Sequence, residues 1–186
     1  PPDIVHLNDW HCGFGAVEVA AARRWDEYWR RTRTVFSIHN MAYQGGFGSE
    51  DLWKFGFGSD FARNAFAFNG YASAMKAGLE TSDMLSTVSR RYAYEIQTSE
   101  YGYGLEWLTR QRANRLIGIT NGVDFEVWNP ATDPELPTHY DINDMSGKAE
   151  CKRQLLERFG LPLDLERPVI AIVTRLTGQK GIELIQ

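Results

Sequence analysis

Five short runs rich in β-branched residues, Asp3–Leu7, Thr34–His39, Met84–Val88, Arg115–Ile119 and Pro168–Thr174, read as strands and restrict the chain more than any other feature. Their interiors are nearly all apolar, the pattern of parallel strands covered on both faces. Helical patterns lie between several of them. Phe14, Val17, Ala21, Trp25 and Tyr28 recur at spacings of three and four, and Arg30 and Arg31 follow as a suitable C-terminal charge. Cys151, Leu155 and Phe159 repeat at four, with Gly160 and Pro162 as stop signals. Strands alternating with helices predict an α/β fold built from parallel βαβ units.

In such sheets ligands bind beyond the carboxyl ends of the strands. Four of the five runs end in unusual polar residues. The first leads into Asn8-Asp9-Trp10-His11 and the second into His39-Asn40. The fourth leads into Thr120-Asn121-Gly122-Val123-Asp124, and the fifth into Arg175-Leu176-Thr177-Gly178-Gln179-Lys180-Gly181. Four such ends in register point to one lined cleft. The last is physically the plainest: a strand, a loop with two glycines and two cations, then a predicted helix start. That is an anion site in outline, with Arg175 as a bidentate fork and Lys180 as a point charge. The alternative for both is a solvated surface loop. Neither G-x-x-x-x-G-K-[ST] nor G-x-G-x-x-G occurs, which weakens P-loop and dinucleotide readings.

Composition narrows the classes further. The chain has 186 residues, enough for one large domain or two small ones, with 20 basic against 24 acidic residues. The net charge of −4 leaves no basic excess for nucleic acid or an anionic membrane. Cys12 and Cys151 match no zinc or redox spacing and suit a reduced compartment. No apolar run is long enough to span a bilayer, and no signal peptide is evident. Aromatics make up 13% of the residues, and many crowd the segment from Tyr43 to Tyr71. This segment reads either as an excursion that walls a cleft or as an irregular subdomain core. Residues 121–147, with Pro130, Pro134 and Pro137, read as a linker. His6, Asp9 and His11 invite a metal-site reading, but on a regular strand His6 and Asp9 point to opposite faces.

At these same residues the chain resembles the bacterial glycogen synthases and plant starch synthases. The matching stretches come in the family's order: Asp9-Trp10-His11; Ile38-His39-Asn40 with Ala42-Tyr43-Gln44-Gly45; Thr87-Val88-Ser89 with Tyr92-Ala93 and Glu95-Ile96; Tyr103-Gly104-Leu105; Asn121-Gly122-Val123-Asp124 with Trp128-Asn129-Pro130; and Arg175-Leu176 with Gln179-Lys180-Gly181. The resemblance implies the GT-B arrangement, two Rossmann-like domains facing across a cleft and only partly present here. Residues 1–120 would be the later part of the acceptor-side domain, 121–147 the linker, and 148–186 the start of the donor-side domain. The family's lysine-bearing Lys-x-Gly-Gly-Leu loop and its glutamate-rich motif do not occur in this sequence. The expectation is therefore an internal piece of a longer enzyme, inactive alone, whose last 39 residues cannot enclose a core.

The implied activity is retaining transfer of glucose from ADP-glucose or UDP-glucose to the end of an α-1,4-glucan. The implied partners are that donor and that acceptor, with no metal, no cofactor, no nucleic acid and no membrane. The implied compartment is the bacterial cytoplasm, or a plastid for a plant source. By the same resemblance Asp9 and His39 lie by the transferred glucose, with the His39 carbonyl toward the 6-hydroxyl. Asn121 contacts the sugar, and Arg175 and Lys180 hold the diphosphate. Tyr43 and Gln44 sit in a shared motif on the substrate side. The alternatives are another GT-B enzyme such as a sucrose synthase or phosphorylase, a hydrolase using His6, Asp9 and His11, and a non-catalytic glucan-binding piece.

Overall fold

The computed structural model describes residues 1–185. It divides into two compact units, Pro1–Gly122 and a second beginning at Val123.

In the first unit, strand β1 (Ile4–Asn8) is followed by helix α1 (Gly13–Trp25) and strand β2 (Arg33–Ile38). A short antiparallel sheet of β3 (Gly46–Phe47), β4 (Ala67–Phe68) and β5 (Tyr71–Ser73) then surrounds helix α2 (Asp60–Phe66). Helix α3 (Ala74–Thr81) leads to β6 (Met84–Thr87). Three short helices, α4 (Arg90–Glu95), α5 (Ser99–Gly102) and α6 (Glu106–Gln111), precede β7 (Leu116–Gly118). The main sheet has the order β1-β2-β6-β7, and every pairing is parallel. The first four predicted strands therefore form, each within a residue or two of its expected bounds.

Apolar burial on one face of the sheet explains the fold, where Leu7, Phe36, Leu85 and Leu116 stand in register; the other face carries His6, Ser37, Ser86 and the exposed Ile117, so the expected apolar cover on both faces is not found among the described residues. Phe36, Ile38, Met41, Met75, Leu79, Leu85, Ile96 and Leu105 are all but inaccessible and form one cluster. Each such side chain contributes about 1.5–3 kcal/mol over its exposed state. Serine caps set the helix starts, with Ser59, Ser73 and Ser89 accepting from the amides of Ala62, Lys76 and Tyr92. Gly13 opens α1 where its backbone lies against α3: a Cβ there would overlap the Ala74 carbonyl oxygen. Much of the aromatic segment forms a subdomain core. Phe57 and Phe66 are buried with Val17 and Leu52, and Phe14 stacks among Phe47, Phe55, Phe57 and Phe66. The expected face of α1 is only half right. Val17 is buried, but Trp25 is 88% exposed and Tyr28 lies beyond the helix.

In the second unit, turns lead to helix α7 (Ser146–Arg158), closed by Gly160 in the left-handed conformation as expected. The expected strand at 168–174 does not form. Residues 168–174 are irregular, and Ile170 and Val173 are 89% and 99% exposed. A strand is stable only as a member of a sheet, and among the described residues this unit has none to join. For the same reason Leu155 and Phe159 stay exposed and Leu156 alone of that side of α7 is buried. The helix expected to open at Gly181 is a single 3-10 turn, Ile182–Leu184.

Candidate functional site

Parallel strands deliver their carboxyl ends to one edge. At that edge lie Asn8-Asp9, His39-Asn40, the start of α4, and the exit of β7.

Asp9 departs from every ordinary side-chain-bearing conformation, with φ 61° and ψ 178°. That region is close to glycine-only and costs about 1–3 kcal/mol elsewhere. The Asp9 amide donates to the Ser37 carbonyl at 2.9 Å, and its carbonyl accepts from Cys12 at 3.0 Å. Between these bonds the chain turns sharply out of β1. The Asp9 side chain caps neither the 3-10 turn Trp10–Cys12 nor α1; its Oδ1 faces the His39 amide at 3.4 Å. His39 in turn meets Asn8 Oδ1 through its ring Nε2 at 3.0 Å. The structure thus brings Asp9 and His39 together.

The loop after His39 is held by a residue to which the sequence assigns no role. Tyr92, on α4, accepts the Met41 amide on its phenol oxygen at 3.0 Å. Burial pushes the Tyr92 phenol up; the Met41 bond opposes this, and nearby Tyr103 and Asp9 reinforce it. Farther along, Asn40 accepts from the Ala42 amide at 3.1 Å, closing an Asx turn. Tyr43 is half exposed. The Gln44 side chain lies between Tyr71, whose hydroxyl donates to Oε1 at 3.3 Å, and Tyr103, whose carbonyl accepts from Nε2 at 3.0 Å. Tyr103 itself has φ 51° and sits between Gly102 and Gly104. The flanking glycines were the only sequence signal for that turn.

Asn121 follows β7 and is exposed. Arg175 and Lys180 belong to the second unit, both exposed, with Lys180 ending the 3-10 turn Gly178–Lys180 before left-handed Gly181. His6 does not reach Asp9; its Nε2 contacts Ser37 Oγ at 2.7 Å. His11 stacks on Trp10. Among the described residues no three His, Cys, Asp or Glu side chains are grouped to hold a metal ion.

A cavity of about 700 Å³ lies at the opposite, amino edge, against Arg23, Asp83, Trp107 and Arg112. The guanidinium groups of Arg23 and Arg112 are already committed. Arg23 donates to Asp83 at 2.7 Å and to the Thr32 carbonyl at 3.1 Å. Arg112 donates to the carbonyls of Leu79, Glu80, Ser82 and Asp83 at the end of α3. The carboxyl edge is therefore the candidate site.

Comparison with known proteins shows the family. A family model described as the starch synthase catalytic domain matches residues 1–111. The glycogen synthase of Desulforudis audaxviator is 44% identical over 185 residues, covering 99% of this chain and 37% of that protein. That of Myxococcus xanthus is 48% identical over 187 residues, covering 99% and 39%. The catalytic domain of starch synthase IV from Arabidopsis thaliana, solved bound to ADP and acarbose, superposes with a TM-score of 0.83 at 34% identity. That match covers 99% of this chain and 38% of the other. The chain therefore spans a little over a third of the length of these relatives.

Proposed function

The chain belongs to the starch and glycogen synthase family, and from that premise we propose that the protein transfers glucose from a nucleotide sugar to an α-1,4-glucan with retention of configuration. The observation that carries this reading is the strained Asp9 turn, held within reach of His39 at the carboxyl edge of the sheet. A backbone kept in so costly a conformation is a mark of a working site.

In this reading Asp9 and the His39 carbonyl bind the hydroxyls of the transferred glucose, and Asn121 adds a further sugar contact. Arg175 and Lys180 neutralise the diphosphate as it departs, a charge that must be stabilised in the transition state. The acceptor hydroxyl then attacks on the face the diphosphate leaves, its proton passing to the leaving phosphate oxygen. Tyr43 and Gln44 belong to the acceptor side. The Arabidopsis relative's ADP supports an adenine nucleotide as donor. No helix among the described residues is long and apolar enough to cross a membrane, and we place the reaction in the bacterial cytoplasm or a plastid.

The test is incorporation of labelled glucose into glycogen by the intact protein, from ADP-glucose and from UDP-glucose, with and without EDTA. We expect incorporation from ADP-glucose that survives EDTA. No incorporation from either donor would overturn the reading. Loss to EDTA, restored by a divalent ion, would replace the Arg175 and Lys180 assignment with a metal.

A further inference from the structure

We propose that Tyr103 is an acceptor-binding residue, a phenol ring held out for a saccharide by the Gln44 strut. The inference rests on the glucosyltransferase reading above.

Three observations on the backbone and its partners lead to it. First, Tyr103 is 51% exposed although it stands in the left-handed region, which a bulky side chain rarely adopts. Neither packing nor local preference accounts for a tyrosine there. Second, the turn is pinned from outside. Gln44 Nε2 donates to the Tyr103 carbonyl, Gln44 Oε1 accepts from the Tyr71 hydroxyl, and the Gln44 carbonyl accepts from Ser73 Oγ and the Met75 amide, each at 3.1 Å. Both ends of the Gln44 amide are thus engaged within the protein. Gln44 works as a positioning residue, and Tyr103 is what it positions. Third, the pinned turn joins the loop that follows His39, since Gln44, which holds the Tyr103 carbonyl, and Met41, whose amide Tyr92 holds, both belong to that loop. The Tyr103 phenol and the Asp9 carboxylate both lie near enough to the Tyr92 phenol to disfavour its ionisation.

The charge around Tyr103 selects the ligand class. Residues 8–12, 39–45 and 102–104 contain one carboxylate, Asp9, and no lysine or arginine; a second carboxylate, Glu106, stands against Gly102, and Arg90 and Arg91 open α4 at the same edge. A diphosphate finds no cation on the Tyr103 turn or on the loop that holds it. An uncharged sugar ring is suited to it, with its C–H face on the phenol and its hydroxyls toward carboxylate and hydroxyl oxygens. Tyr103 therefore serves the glucan and not the nucleotide.

The variant Tyr103→Gly separates this role from a structural one, because glycine accepts φ 51° more readily than tyrosine. In the intact protein we expect its melting temperature to hold or rise. We expect the KM for a maltooligosaccharide acceptor to increase about three- to tenfold, with the donor KM unchanged. Tyr103→Asn, which also tolerates this conformation, should behave alike. Gln44→Ala should act in the same direction more weakly and speed amide exchange in residues 102–105. Calorimetric titration with maltoheptaose and no donor tests the inference apart from turnover. Weakened binding in Tyr103→Gly supports it even if the donor assignment fails. Unchanged binding, an absence of binding in the wild type, or a change confined to the donor KM would overturn it.

Discussion

The two edges of the parallel sheet are built by opposite rules. At the amino edge, Asp83 Oδ2 accepts the Arg23 guanidinium at 2.7 Å, the Thr34 amide at 2.8 Å and the Thr34 hydroxyl at 3.1 Å, while its own amide donates back to that hydroxyl at 2.9 Å. Arg112 closes the end of α3 with a further set of carbonyl bonds. Arg23, Thr34 and Arg112 all find protein acceptors there, in backbone of negative φ. At the carboxyl edge, Asp9 and Tyr103 sit at positive φ, and His39 and Tyr43 are exposed. One edge contributes stability; the other gives some up to present polar groups outward. The contrast sets a densely bonded edge against a strained and open one on the same sheet.

The strongest way to break this contrast is at Asp9. Asp9→Gly should relieve the backbone strain and raise the melting temperature, yet cut kcat by about a hundredfold or more by removing a group aimed at the reacting sugar. Asp9→Asn, which retains the strain, should lose similar activity with little change in melting. A Gly variant that is both active and more stable would erase the distinction between the edges.

Asp83→Ala is the mirror experiment. Removing an acceptor shared by an arginine, an amide and a hydroxyl should cost about 2 kcal/mol of stability. In the fraction that remains folded, kcat and both KM values should match the wild type. Chemical denaturation paired with steady-state kinetics would check this, and a kinetic defect in the folded protein would mean that the edges communicate.

Tyr92→Phe should have a smaller effect. It leaves the Met41 amide without its acceptor and so should cost about 1 kcal/mol in stability, with a several-fold fall in kcat as the His39 loop loosens. A fall in stability with kcat untouched would move Tyr92 to the stabilising class.

The smallest effect sharpens the amino edge. Burial works to raise the Asp83 pKa, but hydrogen bonds from Thr34 and Arg23 outweigh it and hold the carboxyl below its ordinary value. A carboxylate with a depressed folded pKa stabilises fully above the unfolded value of about 4, and that stability is lost as pH falls through the folded pKa. Acid unfolding curves of wild type and Asp83→Asn should therefore converge at low pH and separate above about pH 4. Parallel curves throughout would remove Asp83 from the acid transition.

How far all this was legible in the sequence depends on the range of the interaction. β2 and β6 were readable because their β-branched and apolar residues recur on the buried face, where Phe36, Ile38 and Leu85 lie, although Ser37 and Ser86 occupy the other. The same rule misled at 168–174: an apolar run states what a strand needs, but not whether a neighbouring strand is there to pair. The two-residue strands β3 and β4 are too short to carry any periodicity. At the site, Asp9 and His39 were marked by their place at strand ends. The Asp9 conformation was invisible, because no glycine signals it and the bonds that impose it come from Ser37 and Cys12. The role of Tyr92 escaped for a similar reason, and so did the hold of Gln44 on Tyr103, since their partners lie 51 and 59 residues away.

The close approach at Gly13 has a consequence for inheritance. Every single-base change in a glycine codon that alters the residue introduces a Cβ or a stop. At this codon each new side chain would collide with the Ala74 carbonyl and force α1 off α3, shifting the turn that carries Asp9. The position therefore has no neighbouring allele that leaves the helix pair undisturbed, and its genetic isolation follows from one oxygen atom on another helix.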